Sequence, residues 1–452
     1  MRTDSGKVVR VSASTAFLTD RYELTMLDAA LRDGTAHRKC VFEVFARRLS
    51  GGRRFGVVAG TGRLLGQLRD FRFGEDELRF LRDENILGPE ALAYLEKYRF
   101  TGSISGYREG ELYFPGSPIL TVTGTFADAV ILETIALSIL NHDSAIATAA
   151  ARMSIAANGR PLAEMGARRS AEHSAVAASR AAYIVGFGAT SNLEAGRTWG
   201  VPTMGTAAHA WTLLHDSEED AFRAQLDALG TGTALLVDTY DIERGVRTAV
   251  RLASERGGSL GGVRIDSGDL PIVAGEVRDL LDSLGASATR ITVTSDLDEF
   301  AIAALGASPV DAYGVGTSVV TGSGYPTAGL VYKLVAREGR NGEWVSVAKT
   351  ASGKGSQGGQ KAAARRIENG AAVEELVHVG DGFDDVPALP ESGARHLQTA
   401  FVASGDIDTA HEGPAGVAAA RAHHFAAREE LPVRGLALSK SDPAVPTTYV
   451  EN

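Results

Sequence analysis

The sequence predicts an α/β protein in which an irregular (β/α) barrel follows an N-terminal α+β domain. Three observations carry that prediction. Short β-branched runs close in polar turns at LLVDTYD, VRIDSGD and ITVTSDLDE, at steps of roughly 30 residues, the length of one βα unit. The segments between them have helical periodicity: in IERGVRTAVRLASERGG, Ile242, Val246, Ala249, Val250 and Ala253 share one face and Gly257 supplies a stop. The polar turns all end strands, so in a parallel sheet they share one rim. A closed or partly closed barrel fits better than an open sheet, because several successive strands then feed one mouth.

The elements follow in order. After a polar tail, Asp20-Arg21-Tyr22-Glu23 reads as a capping box opening a helix through Leu24, Leu27, Ala30 and Leu31, stopped by Gly34. CVFEVFARR reads as a strand, residues 74–98 as helical, and ELYFPGSPILTVTGT as a β-rich stretch with proline turns. These make an N-terminal α+β domain over residues 1–125. Helices from 127 to 157 lead into a barrel assigned to 126–345, with further helices at LPIVAGEVRDLLDSLG and LDEFAIAALG. Residues 346–452 form a C-terminal extension expected to pack back on the N-terminal domain and barrel. GEWVSVAKT, across its start, reads as a strand, ASGKGSQGGQKAAARR as a flexible basic loop, and GPAGVAAARAHHFAAREELP as a helix.

The chemistry concentrates on the barrel rim. In VPTMGTAAHAW, residues 201–211, an apolar run ends in Gly205-Thr206 and is followed by His209. This order suggests a strand with an imidazole just above its carboxyl end, where α/β folds bind ligands. Asp238, Asp266 and Asp296 end the next three strands, and VDAYGVGTSVVT ends in a glycine turn at Gly314, Gly316 and Thr317. Each aspartate alone can be read as a helix N-cap. As a set in register with a histidine they point to a site. His142, His173, His215 and the pair His423-His424 have no comparable setting and are expected to be surface or structural.

Composition sets limits. At 452 residues the chain can hold two domains and a sizeable core. A formal charge of −10 and a pI near 5.6 argue against generic nucleic-acid binding. The most apolar helical stretch, ADAVILETIALSIL, is interrupted by Asp128 and Glu133, so no membrane span is expected. The N-terminus has Arg2, Asp4, Lys7 and Arg10 but no apolar core, so no secretory signal is expected. A single cysteine, Cys40, allows neither an internal disulfide nor a cysteine-cluster metal site. The cytoplasm is the expected compartment.

TDRYELTM at 19–26, FEVFARR at 42–48, EMGARR at 164–169, GATSN at 188–192, GTAAH at 205–209, VDTYD at 237–241, RIDSGDL at 264–270, GVGTSVVT at 314–321 and YKLVA at 332–336 together resemble nicotinate phosphoribosyltransferase. The resemblance runs in order over most of the chain. It implies a type II phosphoribosyltransferase fold and a homodimer with active sites near the subunit interface. It also implies a reaction joining nicotinate to 5-phosphoribosyl-1-pyrophosphate (PRPP), driven by ATP through a transient phosphohistidine at His209. Such an imidazole needs one free nitrogen and an orienting partner at the other. Asp238 is the expected partner, with Asp241 as fallback; Asp238 can equally be an N-cap to the 242–256 helix. Ribosyl transfer builds positive charge as pyrophosphate leaves, and calls for an anion near the ribose and cations or Mg²⁺ on the departing group. Asp266 suits the first task, and Asp269 the ribose hydroxyls or Mg²⁺. Mg²⁺ is expected to be held mostly by water and phosphate oxygens, with no fixed protein ligand set.

Gly314, Gly316, Thr317 and Ser318 are the expected 5′-phosphate cradle, with Ser295-Asp296 as a neighbouring contact. By resemblance, Tyr22 and Phe187 stack on nicotinate, Tyr22 from across the dimer, and Arg168 and Arg264 are cations for nicotinate or PRPP. Tyr22 also reads as an ordinary helix residue packed on the core. One stretch departs from the family: its glycine-rich basic loop usually carries Pro-Gly and an aromatic before the arginine. Here Gln357-Gly358-Gly359 and Ala364-Arg365 stand instead, while Lys354, Lys361 and Arg365 remain where basic residues are expected. Three alternatives stay open: a nicotinamide phosphoribosyltransferase, a quinolinate phosphoribosyltransferase, and a non-catalytic nucleotide sensor on the same scaffold.

Overall fold

The computed structural model describes residues 14–349, 356–380, 382 and 393–451 of the chain. Six short parallel strands form the barrel sheet, in spatial order Ala189–Thr190, Leu162–Glu164, Ala312–Val315, Arg290–Thr294, Gly262–Ile265 and Ala234–Leu236. Leu235, Val263, Ile265, Ile291, Val293, Tyr313 and Val315 from these strands are buried in one apolar core. Helices Ile242–Glu255, Leu270–Ser283 and Glu299–Ala304 connect strands in the predicted βα order. The first ends as its sequence indicates, with Val246, Ala249, Val250 and Ala253 buried and Gly257 at φ 71°.

The expected strand before His209 is a single bridge, Thr190 to Thr203. Thr190 N–H donates to the Pro202 carbonyl and Met204 N–H to that of Thr190, both at 2.9 Å, but Pro202 has no N–H to extend the ladder and residues 202–206 are exposed. Among the described residues the sheet is a curled half-barrel, open on that side.

The second sheet is antiparallel and seven-stranded. Its order is Trp344–Ser346, Leu330–Glu338, Lys39–Ala46, Leu120–Thr125, Ser103–Tyr107, Gln398–Ala403 and Asp406–Ile407. The expected barrel limit at 345 is therefore corrected: Leu330–Glu338 pairs with Lys39–Ala46, opposite the N-terminal strand, because Tyr332 and Leu330 bury into that domain's core. The capping box at 20–23 is also corrected. Asp20 precedes helix Arg21–Asp33 but makes no side-chain cap bond. Glu23 is instead buried, accepting bonds from the Thr19 hydroxyl and, at 2.8 Å, the Thr134 N–H. It ties the first helix to the start of helix Glu133–Ala156.

That long helix packs on barrel helices Glu172–Ile184 and Glu299–Ala304 and on the strand Leu330–Glu338. The expectation of no membrane span stands, although Phe126–Ala156, at 31 residues, is long and apolar enough by length and composition alone. Its most apolar stretch is 67% buried, which makes it the central core helix.

The expected flexible loop is partly a strand. Lys354 lies outside the described residues, but Gln360–Glu368 pairs with Ala371–Gly380 in a four-stranded sheet completed by Ala394–His396 and Thr447–Glu451. Lys361 and Arg365 are consequently not rim cations. Lys361 Nζ lies 3.0 Å from Glu43 and both are buried. Arg365, 0% exposed, donates to Glu111 and Glu375 at 2.5 and 2.8 Å. Arg395 and His423 close on the same Glu111, each at 2.8 Å, and Tyr107 donates to Glu375 at 2.8 Å. Burial alone would raise the Glu111 carboxyl. The Arg365 guanidinium, with His423 and Arg395, outweighs it and holds the group well below the usual carboxylate range.

Candidate active site

The rim is built by the turns that follow the parallel strands. His209 is the first residue of helix His209–Leu214, after an Ala208 N-cap that makes no side-chain bond. Its ring is fixed from the neighbouring turns instead. Nδ1 lies 3.1 Å from the Thr239 hydroxyl. Nε2 faces two carboxylates, Asp238 Oδ1 at 4.0 Å and Asp266 Oδ2 at 3.9 Å. The imidazole is 40% exposed, so a ligand can reach it.

Asp238 is adjacent to His209, but at 4.0 Å it makes no direct hydrogen bond to the ring. Its Oδ2 accepts the Asp266 N–H and the Ser267 hydroxyl, both at 2.8 Å. Its Oδ1 is buried with no hydrogen-bond partner, aimed at Nε2. An orphaned carboxylate oxygen costs free energy unless something completes it. Neither aspartate's alternative reading holds. Asp241, not Asp238, caps helix Ile242–Glu255 by accepting the Arg244 N–H at 2.8 Å, which also removes Asp241 as the fallback partner for His209. Asp298, not Asp296, caps Glu299–Ala304.

Asp266 Oδ1 accepts from the Thr294 hydroxyl, which leaves Oδ2 turned to His209. Asp269 precedes helix Leu270–Ser283 without a side-chain cap bond and is exposed. Next along the rim, Ser295 has φ 148°, a strained backbone for a side chain of this kind. Arg264 rises from the Gly262–Ile265 strand, and its Nη2 donates to the Ala207 carbonyl at 3.0 Å, tying the loop before His209 to the barrel. Burial lowers its pKa, against the fields of Asp266 and Asp238. Its buried Nε has no partner. Arg168, in the turn Ala167–Arg169, is exposed, near enough for its charge to act on Arg264, and forms no ion pair among the described residues.

Gly314 lies within the Ala312–Val315 strand, and a Cβ there would lie 2.5 Å from Thr294 and 2.8 Å from the Met165 sulfur. Close packing, not ligand approach, is what requires this glycine. Gly316, at φ −106° and ψ −101°, opens the short helix Thr317–Val320, whose first N–H groups have no partner within the helix. Below this turn, Glu164 is fully buried and accepts the Ser179 and Thr190 hydroxyls at 2.7 and 2.6 Å. It also accepts the Gly166 N–H, which fixes the Met165–Arg169 segment.

Phe187 does not reach the site. It is 0% exposed inside the barrel core, so its ring offers no face to a ligand, and the stacking expectation is corrected. Arg421 of the Gly413–Glu429 helix donates to its backbone carbonyl at 2.8 Å. Tyr22 is 46% exposed on helix Arg21–Asp33, which packs on Phe126–Val130 and Pro89–Glu96. Burial of part of the ring, with Glu133, Glu23 and Asp20 nearby, pushes its hydroxyl up to about 12. Sequence reasoning missed Thr239, Ser267, Thr294 and Glu164. Each stood inside or beside a quoted motif, and the signal that finds them is a hydroxyl or acid next to a strand-end aspartate or arginine.

Comparisons with known proteins identify the family. Residues 17–141 match the model of the nicotinate phosphoribosyltransferase N-terminal domain. The chain is 55% identical over 444 residues to nicotinate phosphoribosyltransferase pncB1 of Mycobacterium tuberculosis, covering 96% of this chain and 95% of that one. The human nicotinate phosphoribosyltransferase is 33% identical over 395 residues, 73% of each chain. A crystal structure of the human enzyme superposes with a TM-score of 0.80 at 25% identity, over 95% of this chain and 97% of that chain. The nicotinate-nucleotide pyrophosphorylase structure from Pyrococcus furiosus, at 23% identity and a TM-score of 0.73 over 94% of this chain and 99% of that one, shares the fold. The chain belongs to the nicotinate phosphoribosyltransferase family.

Proposed function

We propose that the family's reaction runs at this barrel mouth: nicotinate and PRPP give nicotinate mononucleotide and pyrophosphate, in NAD biosynthesis. ATP hydrolysis is coupled through a phosphoryl group carried briefly by His209. The observation that carries the coupling is the pair of carboxylates at Nε2. They favour the tautomer with its proton on Nε2, which leaves the Nδ1 lone pair as nucleophile. Nδ1 attacks the γ-phosphorus, the Nδ1–P bond forms, and the P–O bond to ADP breaks with its electron pair leaving on ADP. The ring then carries positive charge beside Asp238 and Asp266. At about 4 Å and an effective dielectric of ~20, each carboxylate contributes about 4 kcal/mol before solvent screening, and less at this open mouth.

The same rim serves ribosyl transfer. Asp266 is the anion near the anomeric carbon as the C–O bond to pyrophosphate breaks, while Arg264 and Arg168 face the anionic groups of PRPP and nicotinate. Asp269 binds ribose hydroxyls, and the Gly314–Ser318 turn, with the N–H groups and hydroxyls of Thr317 and Ser318, takes the 5′-phosphate. Mg²⁺ enters in this reading with PRPP and ATP, held mostly by water and phosphate oxygens. Because Phe187 is buried, the aromatic contact to nicotinate falls to Tyr22 of a second copy in a homodimer. A single, buried cysteine fits a reducing cytoplasm.

The test follows nicotinate mononucleotide formation from nicotinate and PRPP, with and without ATP, and again with nicotinamide. ATP stimulation and preference for nicotinate are expected. Preference for nicotinamide, or PRPP binding without turnover, overturns the reading.

A further inference from the structure

We propose that Thr239 is a positioning residue that selects which nitrogen of His209 accepts the phosphoryl group. The proposal deepens the phosphohistidine reading above and rests on it. His209 is poorly held by its own element. It opens a six-residue helix whose N-cap makes no side-chain bond, behind an exposed segment at 202–206. Its orientation comes from across the mouth, where two consecutive residues of one turn address opposite sides of the ring. Asp238 lies toward Nε2 at 4.0 Å and Thr239 contacts Nδ1 at 3.1 Å.

The hydroxyl of Thr239 can donate or accept, so its partner's tautomer sets its role. With Asp238 and Asp266 both near Nε2, the proton stays on Nε2, and Thr239 donates to the Nδ1 lone pair. That bond opposes the inverse tautomer, in which Nε2 would present its lone pair to two carboxylates, and it is released as phosphorus takes up the Nδ1 lone pair. The β-branch of threonine restricts its χ1, so the hydroxyl is held in place where a serine hydroxyl would wander among rotamers. When the Nδ1–P bond forms and ADP leaves with the P–O electron pair, the hydroxyl turns to donate to a phosphoryl oxygen. The Nε2 proton remains where it was, and no other proton moves.

The test uses the full-length protein labelled with ¹⁵N-histidine, with the His209 signals assigned by their loss in His209→Ala. Alongside, single-turnover transfer of acid-labile phosphate from ATP is timed in wild type, Thr239→Val and Thr239→Ser, with thermal midpoints confirming folding. The wild type is expected to show a protonated Nε2 and an unprotonated Nδ1. Thr239→Val is expected to mix the tautomers and slow labelling roughly three- to tenfold, the range of one ordinary hydrogen bond. Its KM for ATP stays near the wild-type value, and Thr239→Ser restores most of both readouts. Wild-type ¹⁵N shifts and labelling rate in Thr239→Val overturn the proposal alone. A wild type that takes no label from ATP overturns the phosphohistidine reading, and the proposal with it.

Discussion

Two regions of the molecule concentrate charge, and they do opposite things with it. At the seam around Arg365, buried acids and bases touch: Glu111, Glu375, Arg395 and His423 close contacts of 2.5–2.8 Å. At the barrel mouth, His209 faces Asp238 and Asp266 at 4.0 and 3.9 Å, and the Asp238 Oδ1 is buried without a partner. Asp238 and Glu375 are almost equally buried, at 1% and 0% exposure, so burial does not separate the two regions. The state of the carboxylates does. At the seam every oxygen of Glu111 and Glu375 has a partner, although Arg365 Nε is buried without one, whereas at the mouth one Asp238 oxygen stands open.

The seam is the place to break the fold. Arg365→Met leaves Glu111 and Glu375 without their central cation, and we expect a loss of roughly 3–5 kcal/mol in denaturant unfolding. A loss below about 1 kcal/mol would show that the seam is ornamental. The mouth is the place to break chemistry. Asp238→Asn is expected to lower ATP-stimulated turnover by roughly a hundredfold, the scale of a misoriented catalytic imidazole, with a far smaller effect on unfolding than Arg365→Met. Equal effects of the two variants on stability would erase the distinction.

Acid sharpens the comparison further. The Glu111 carboxyl is depressed in the fold, so its stabilisation is complete above the ordinary carboxylate range near ~4.3 and is lost as pH falls through the lower folded value. Glu111→Gln should flatten that acid limb of the stability curve. An unchanged slope from about pH 5 downward would mean the seam does not titrate as described. The smallest effect on stability belongs to Arg168, exposed and in no ion pair among the described residues. Arg168→Met should leave unfolding within about 0.5 kcal/mol while raising KM for nicotinate or PRPP; an unchanged KM would remove Arg168 from the site.

What the sequence revealed followed from local rules. Asp238, Asp266 and the Gly314–Ser318 turn end strands of a regular βα series, and one register places them all on one rim. Lys361 and Arg365 were misread because a glycine-rich basic run looks like a loop, whereas Ala362, Ala363 and Ala364 are buried in a strand and the paired acids come from distant sequence. Phe187 was misread for a similar reason. Its ring is enclosed in the barrel core among residues distant in sequence, which no local pattern near position 187 announces. The strand before His209 failed at Pro202, where a missing N–H outweighed the apolar run. Thr239 was invisible because its contact with Nδ1 depends on how the loop before helix His209–Leu214 lies over the turn after strand Ala234–Leu236.

If His209 carries the phosphoryl group, the mouth carboxylates serve chemistry while the paired carboxylates at the Arg365 seam hold the fold. The most direct measurement is nicotinate mononucleotide formation with and without ATP in His209→Ala, paired with its unfolding midpoint. Loss of the ATP stimulation and of acid-labile phosphate at an unchanged midpoint is expected. A variant that keeps its ATP response, or loses it only because it unfolds, would contradict it.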